Sequence, residues 1–277
     1  MVAFMVECKP YEIYAVRYAE NPFLMASQVF LGGETPDGPM PLDYFIWLIV
    51  GNGRQYVVDT GFKNHIAQKR NRRYLHCPTY GLSRLGVSAS DIKDVLITHL
   101  HYDHAGNLDL FPNACIHVQE REVQFTTGRS ICSPAINHIF EEEDIVHMVR
   151  RVFRGQVLYQ DGSAEIAPGI SVHLIGGHTP GLQAVRVWTA RGWVVLASDA
   201  AHFYKNLFQG KPFAWSVHLD DVFKGYSLLR KLADSDDHII PGHDPLVMTQ
   251  YPAPSSELEG VVVQLHVPPK FSAIKYG

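Results

Sequence analysis

The stretch 98–107, THLHYDHAGN, places four potential metal ligands within six positions: His99, His101, Asp103 and His104. The apolar run VLIT leads directly into these ligands. We therefore expect the motif where a buried strand ends and alternate side chains turn into a common pocket. Neutral imidazoles and a carboxylate are the usual ligands of zinc and similar divalent ions. A set of hydrogen-bonded core histidines is the alternative, but this density of ligands at a strand end favours a metal site.

Short β-rich runs recur on both sides of this motif. They cover residues 11–19, 44–50, 55–60, 94–99 and 115–119 in the first half, and 169–175, 183–189, 192–198 and 238–242 in the second. Residues 220–234 show apolar positions at helical spacing, with two aspartates near the start. Two β-rich halves with helices outside predict an α/β layered sandwich, in a single domain spanning residues 1–277.

One segment interrupts this pattern. Residues from about 130 to 155 include INHIFEEEDIVHMVRRVF, which predicts a helical insertion with a charged face. A solvated helix is the simpler interpretation, and a lid over the active site is the other.

Further ligand candidates lie downstream in three short motifs. GGHTPG contains His178, ASDA contains Asp199, and IIPGHD contains His243. Each follows the small or apolar residues of a predicted strand end. Any one of them alone has a structural role as its alternative, but their order and loop contexts together favour a shared site.

With these motifs the chain resembles the metallo-β-lactamase superfamily, whose signature is HxHxDH after a β-strand, and the resemblance runs through nearly the whole sequence. It implies an αββα sandwich. VVDTG at 57–61 matches an early strand and turn of the family, with Asp59 as a carboxylate outside the ligand shell. The resemblance also implies two metal ions that share one carboxylate: the first held by His99, His101 and His178, the second by Asp103, His104 and His243, with Asp199 bridging them.

A pair of divalent ions predicts hydrolytic chemistry. Two ions about 3.5–4 Å apart share a hydroxide, which attacks a carbonyl at neutral pH without a protein nucleophile. We expect zinc, with iron, manganese or cobalt as alternatives, because this ligand set accepts them all. The sequence shows neither a nucleophile elbow nor a Gly-rich phosphate loop.

The chain's length and ligand spacing resemble the N-acyl-homoserine lactonases, which implies lactone hydrolysis and quorum quenching. His178 and Asp199 are 21 positions apart, and Asp199 and His243 are 44 apart (199 − 178 and 243 − 199). In that family a tyrosine three positions after the bridging aspartate contacts the lactone. This chain has His202 there, and the nearest tyrosine is Tyr204. The candidate catalytic residues are Asp103, His202 and Tyr204.

An apolar wall for an acyl chain is predicted from residues of two loops, with ordinary core packing as the alternative for each. The predicted substrate-contacting residues are Phe23, Met25, Phe30, Phe208 and Phe213, with Leu24 and Trp215 beside them.

Several other functions stay open or are disfavoured. Another ester, lactone, thioester or amide hydrolase on the same centre is the first alternative. A mononuclear-iron sulfur dioxygenase is a less favoured alternative, because seven candidate ligands are more than one iron site uses. A non-catalytic binding module is disfavoured, because it would be expected to lack some of these ligands.

The net charge of −4, from 28 acidic and 24 basic residues without long runs, disfavours nucleic acid and anionic membranes as partners. No long apolar run and four scattered cysteines predict a cytoplasmic protein with reduced thiols. The oligomeric state is open, with a homodimer among the alternatives.

Overall fold

A computed structural model describes residues 9–34 and 36–272 of the chain. The strands, in chain order, are β1 (Glu12–Asn21), β2 (Leu42–Gly51), β3 (Arg54–Val58), β4 (Arg73–Tyr74), β5 (Asp94–Leu96), β6 (Cys115–Gln119), β7 (Val157–Gln160), β8 (Ala164–Ala167), β9 (Ile170–Leu174), β10 (Gln183–Thr189), β11 (Gly192–Ser198), β12 (Ile239–Pro241) and β13 (Val262–Gln264). The α-helices are α1 (Ala26–Val29), α2 (Asn64–Lys69), α3 (Pro78–Arg84), α4 (Tyr102–Ala105), α5 (Glu120–Thr126), α6 (Pro134–Asn137), α7 (Glu142–Phe153), α8 (Tyr204–Gln209), α9 (Leu219–Leu232) and α10 (Leu246–Gln250). Short 3-10 turns cover Ala89–Asp91, Leu108–Leu110, Arg129–Cys132, Asp236–His238 and Ser256–Leu258.

These strands form two mixed sheets. The first has the order β13-β1-β2-β3-β5-β6-β7, with β4 also paired to β1. Its β1, β2 and β3 pair antiparallel, whereas β3, β5, β6 and β7 run parallel. The second sheet has the order β12-β11-β10-β9-β8, and only its β11–β12 pair is parallel. The first half of the chain supplies most of one sheet, and the second half supplies the other.

The two sheets face each other across an apolar layer. Alternate residues of β2, such as Phe45 and Trp47, share one buried cluster with Val185 of β10 and Leu196 of β11. The intervening β2 residues, Ile46 and Leu48, belong to a second cluster together with residues of α3 and α7. Because successive side chains of a strand point to opposite sheet faces, β2 is buried on both faces. The order of layers is therefore helix, sheet, sheet, helix.

Helix α9 covers the outer face of the second sheet. Its buried residues Val222, Gly225, Tyr226 and Leu229 follow helical spacing and pack in a cluster with residues of β10 and β11. Acidic side chains lie in its first turn and basic ones in its last, which suits the helix dipole. This helix and the αββα arrangement were both predicted from the sequence.

The segment between β6 and β7 contains α5, α6 and α7. Helix α7 is held to the 3-10 turn Leu108–Leu110 through Arg151, whose guanidinium donates to the carbonyls of Leu108 (2.7 Å) and Phe111 (3.0 Å). The strands β7 and β13 were not predicted as separate elements.

Cys77, Cys115 and Cys132 have no disulfide partner, and Cys8 lies outside the described residues. Among the described residues, no helix combines the length and the apolar character needed to cross a membrane.

Candidate metal centre

The predicted ligands lie where strands of both sheets end. His99 follows β5 by three positions, and the one-turn helix α4 carries Asp103 and His104. In the second sheet, Asp199 directly follows β11 and His243 comes two positions after β12. All seven predicted ligands are buried. The structure brings them together in one place between the sheets.

The first ligand set converges on a single point. His101 Nδ1 lies 2.9 Å from His99 Nε2 and 3.0 Å from His178 Nε2. One carboxylate oxygen of Asp199, Oδ2, lies 3.1 Å from His178 Nε2 and 3.6 Å from His99 Nε2. These four residues form one group of ligand atoms within metal-binding reach.

The second set converges beside it. Asp199 Oδ1 lies 2.9 Å from His243 Nε2 and 3.2 Å from His104 Nε2. Asp103 Oδ2 lies 3.6 Å from His104 Nε2 and 3.7 Å from His243 Nε2. The two oxygens of Asp199 therefore face different ligand sets, which is the arrangement expected of a bridging carboxylate.

The donor atoms fit divalent metal ions. A tetrahedral ion with bonds of about 2.0–2.2 Å holds neighbouring ligand atoms roughly 3.3–3.6 Å apart. The separations in both sets scatter around that value. Burial lowers the pKa of His99 and of His101 well below the usual range, so both rings are neutral, which is the form that coordinates a cation. His104 Nε2 is buried without a hydrogen-bond partner, although it faces two carboxylates.

A network outside the ligand shell fixes the orientation of the rings. Asp59 accepts hydrogen bonds from Thr98 N (2.7 Å), Thr98 Oγ1 (2.8 Å) and His104 Nδ1 (2.7 Å). Thr98 Oγ1 also lies 2.9 Å from Ser198 Oγ, which connects the two sheets beneath the centre. Asp59 and Ser198 both have positive φ angles, 59° and 47°, a region that is strained for residues other than glycine.

Glu122 was not predicted as part of the site. Its buried carboxylate accepts hydrogen bonds from Leu100 N (2.9 Å), Thr179 Oγ1 (2.7 Å) and Gly181 N (3.0 Å). It therefore joins the loop of His99 to the loop of His178. A Cβ atom at Gly181 would lie 2.3 Å from Glu122 N, so only glycine allows this approach. Within the acidic helix start EREV, nothing in the sequence distinguishes a buried glutamate from a solvated one.

We expect Asp59→Asn to weaken metal binding by about 10- to 100-fold, because the amide has one acceptor oxygen for the three hydrogen bonds that the carboxylate accepts and so orients His104 less firmly. Competition with a chromophoric chelator measures this affinity. Asp94→Asn is the matched control, since Asp94 also bonds a histidine, His117, at 3.0 Å, but lies outside the ligand sets. Equal affinities in the two variants would contradict the role of Asp59.

A cavity of about 170 Å³ opens onto the ligands. Its lining includes five of the predicted ligands: His101, Asp103, His178, Asp199 and His243. Its apolar side consists of Leu24, Val29, Leu42, Ile139, Phe213 and Trp215. Its other polar residues are Gln28, Tyr44, Arg72, Tyr102 and His202. A small organic molecule can thus reach the centre along an apolar surface.

Comparison with known proteins agrees with this geometry. The family model of the metallo-beta-lactamase superfamily matches residues 40–127, a range that includes β2, β3 and the HLHYDH motif. This match covers about a third of the chain and contains four of the seven predicted ligands.

The relatives that this chain resembles over about half of its length include lactonases. An N-acyl homoserine lactonase of Bacillus thuringiensis is 29% identical over 134 residues, which cover 48% of each chain. The N-acyl homoserine lactonase AttM of Azorhizobium caulinodans is 26% identical over 174 residues, covering 58% of this chain and 61% of AttM. The chain thus spans about half the length of the Bacillus relatives that it matches.

Solved structures share the metallo-β-lactamase fold over most of the chain. A quorum-quenching N-acyl homoserine lactone lactonase superposes with a TM-score of 0.71 at 23% identity, covering 86% of this chain and 94% of its own. AidC, a dizinc quorum-quenching lactonase, superposes with a TM-score of 0.68 at 18% identity, covering 96% and 97%. At these identities the likeness shows the shared fold.

His202 and Tyr204 have different positions relative to the ligands. His202 Nε2 lies 3.0 Å from Asp199 Oδ2, and its ring stacks on Phe213 with centroids 3.5 Å apart. Burial lowers the pKa of His202 to about 3, against the opposing effect of Asp199, so the ring is neutral. Tyr204 instead packs in the cluster between the sheets, stacked on Phe208 and away from the cavity. The structure therefore places Tyr204 away from the cavity, unlike His202.

The structure places some residues of the predicted apolar wall at the cavity and others elsewhere. Leu24, Phe213 and Trp215 line the cavity, as predicted. The remaining predicted residues, Phe23, Met25, Phe30 and Phe208, do not line it. Phe23 is 69% exposed, and Phe30 is fully buried with its ring 5.8 Å from that of Phe203. Ile139, which follows α6, also lines the cavity. One residue of the predicted insertion therefore reaches the site, and the rest of the lining comes from other parts of the chain.

Proposed function

We propose that this protein is a dinuclear metal-dependent hydrolase that opens the ring of a lactone, with N-acyl-homoserine lactones as its expected substrates. The proposal rests on one observation: two adjacent ligand sets share the carboxylate of Asp199 at the floor of a largely apolar cavity. The proposed ion in each set is zinc, because nitrogen and carboxylate ligands in tetrahedral sets suit it, with iron, manganese or cobalt as alternatives.

The chain's own residues supply positioning and proton control. When bound, two divalent ions supply an acidified water as the nucleophile and a Lewis acid for the substrate carbonyl. Asp59 holds the ring of His104, and Glu122 fixes the loops of His99 and His178. His202 is the proposed hydrogen-bond donor to the reacting or the leaving oxygen, since it lies at the cavity beside Asp199.

The size of the cavity supports a small cyclic substrate. A cavity of about 150 Å³ in another protein holds benzene, so one of about 170 Å³ accommodates a five-membered lactone ring. The acyl chain would then run past Leu24 and Trp215 toward solvent, and chains of different length would be tolerated. Several related proteins are named as N-acyl homoserine lactonases, which supports the same substrate class. The proposed setting is the cytoplasm, and the proposed role is quorum quenching.

Purified protein with quantified metal is expected to hydrolyse N-hexanoyl-homoserine lactone at least about tenfold more efficiently, by kcat/KM, than an aryl ester, a thioester or a β-lactam. Hydrolysis of each substrate releases a carboxylic acid, so titration of the released acid measures every substrate in the panel on the same scale. The Asp199→Ala variant serves as the blank, because it corrects for any contaminating esterase.

Turnover of the esters or thioesters with every lactone inert would reject the lactonase proposal and favour another carboxylic ester or thioester hydrolase. An inert panel with a full complement of metal would reject hydrolysis of these classes altogether.

A further inference from the structure

The cavity contains one cationic side chain among the described residues that line it, Arg72. Arg72 lies between α2 and β4, and its backbone N–H donates to Ala67 O at 2.8 Å. Its side chain is partly buried beside Tyr102, whose hydroxyl accepts a hydrogen bond from Arg72 Nε at 3.3 Å. That tyrosine hydroxyl is in turn 3.2 Å from the hydroxyl of Tyr44. The guanidinium is therefore held at the cavity by a buried pair of tyrosines.

Arg72 differs from its neighbours in how its charge is balanced. Arg70 Nε donates to Glu141 at 2.9 Å, and Arg73 forms an ion pair with Glu20. Within the described ranges, no carboxylate lies within 4.0 Å of the Arg72 guanidinium nitrogens. The bond to Tyr102 engages only Nε, so the two terminal amino groups make no hydrogen bond to the described part of the chain.

Among the described residues that line the cavity, no carboxylate outside the proposed ligand sets is available to this charge. The acidic residues that line it are Asp103 and Asp199, and both belong to the proposed ligand sets. An arginine stays charged at all relevant pH values, and a partly buried charge is costly unless it is paired. The two free amino groups form a planar fork that matches the two oxygens of a carboxylate. An anionic group of the substrate would balance the charge.

We propose that Arg72 binds a carboxylate on the acyl part of the substrate, so that lactones with an acidic acyl chain are hydrolysed in preference to neutral ones. This inference rests on the proposed lactonase function and narrows its substrate class. Arg72 acts on substrate selection and not on the metal ligands, since it belongs to neither ligand set.

Two substrates that differ at one group test the inference: N-succinyl- and N-butanoyl-homoserine lactone, in which a terminal carboxylate replaces a methyl group. We expect the wild-type protein to prefer the succinyl substrate by about 10- to 100-fold in kcat/KM, mainly through KM, as a charge-assisted bidentate contact implies. Arg72→Gln should remove this preference, so that the succinyl and butanoyl substrates are hydrolysed with similar kcat/KM. Arg72→Lys keeps the charge without the fork and should retain part of the preference.

Arg73→Gln is the matched control. Arg73 is the next residue, it is paired with Glu20, and it does not line the cavity. This variant should keep the succinyl preference. Metal content and thermal unfolding of all variants establish that they are folded and loaded to the same degree.

A wild-type protein that hydrolyses both lactones equally, with no change in Arg72→Gln, would overturn the inference and leave the lactonase proposal standing. If neither lactone reacts, the lactonase proposal fails, and calorimetric titration with monomethyl glutarate then decides the role of Arg72. Binding that is at least about tenfold weaker in Arg72→Gln than in wild type and Arg73→Gln would support carboxylate recognition. Equal binding in all three proteins would reject it.

Discussion

The Asp199→Ala variant is expected to lose its metal and its activity together. Asp199 faces both ligand sets, with Oδ1 at 2.9 Å from His243 Nε2 and Oδ2 at 3.1 Å from His178 Nε2. Removing this carboxylate deprives both sites of a ligand. It also removes a negative charge that would offset the repulsion between the two ions. We expect the metal content to fall from about two ions per chain, and turnover to fall by more than about 10³-fold, because the nucleophile depends on those ions.

Elemental analysis of dialysed protein, paired with lactone turnover on the same preparation, measures both quantities. Asp220→Ala is the control, since this exposed carboxylate pairs with Lys224 on the surface of α9 and should change neither quantity. A wild-type protein that reaches full activity with one ion per chain would contradict the dinuclear mechanism. So would an Asp199→Ala protein that keeps both ions.

The His202→Ala variant is expected to lower kcat by roughly 10²–10⁴-fold while the metal content stays at the wild-type level. His202 lies at the cavity, and its Nε2 is 3.0 Å from the carboxylate that the two ligand sets share. A neutral imidazole there can donate a hydrogen bond to the reacting or the leaving oxygen. His202→Tyr should keep more activity than the alanine variant, because a phenol can also donate a hydrogen bond.

Tyr204→Phe is the companion variant, and near-normal turnover is expected because Tyr204 packs between the sheets. Single-turnover kinetics with metal analysis separates the possible outcomes. Loss of metal in His202→Ala would make His202 a ligand, since it also lies within ligand distance of Asp199 and His243. Normal turnover in His202→Ala would remove it from the reaction.

The fold and the ligand sets could be predicted because their signals are local. The HLHYDH motif follows a buried strand directly, and each later ligand comes after a short apolar run that forms a strand. Strand ends on a sheet lie together, so the order of such motifs carries information about the site. The two sheets, their helical outer layers and helix α9 follow from patterns of period 2 and 3.6.

The cavity lining could not be predicted in the same way, because it depends on tertiary contacts. Phe30 and Phe213 form a bridge between two loops, and only Phe213 faces the cavity. Arg72 lies in the sequence RNRRY, where three arginines look alike until their partners are known. Glu122 is another such case, because its burial depends on the approach of Gly181 from the other half of the chain. Residues such as these have no periodicity that marks them.

The ligands are divided between the two halves of the chain, so they are synthesised in a fixed order. The loop with His99, His101, Asp103 and His104 leaves the ribosome long before His243, which is 139 positions after His104 (243 − 104). An ion bound by that loop before the second half is synthesised would have an incomplete set of ligands. Only the docking of the second sheet brings in Asp199 and completes both sites. Because each site needs ligands from both halves, the binding of the ions would stabilise the packing of the halves, and that packing would in turn raise the affinity for the ions.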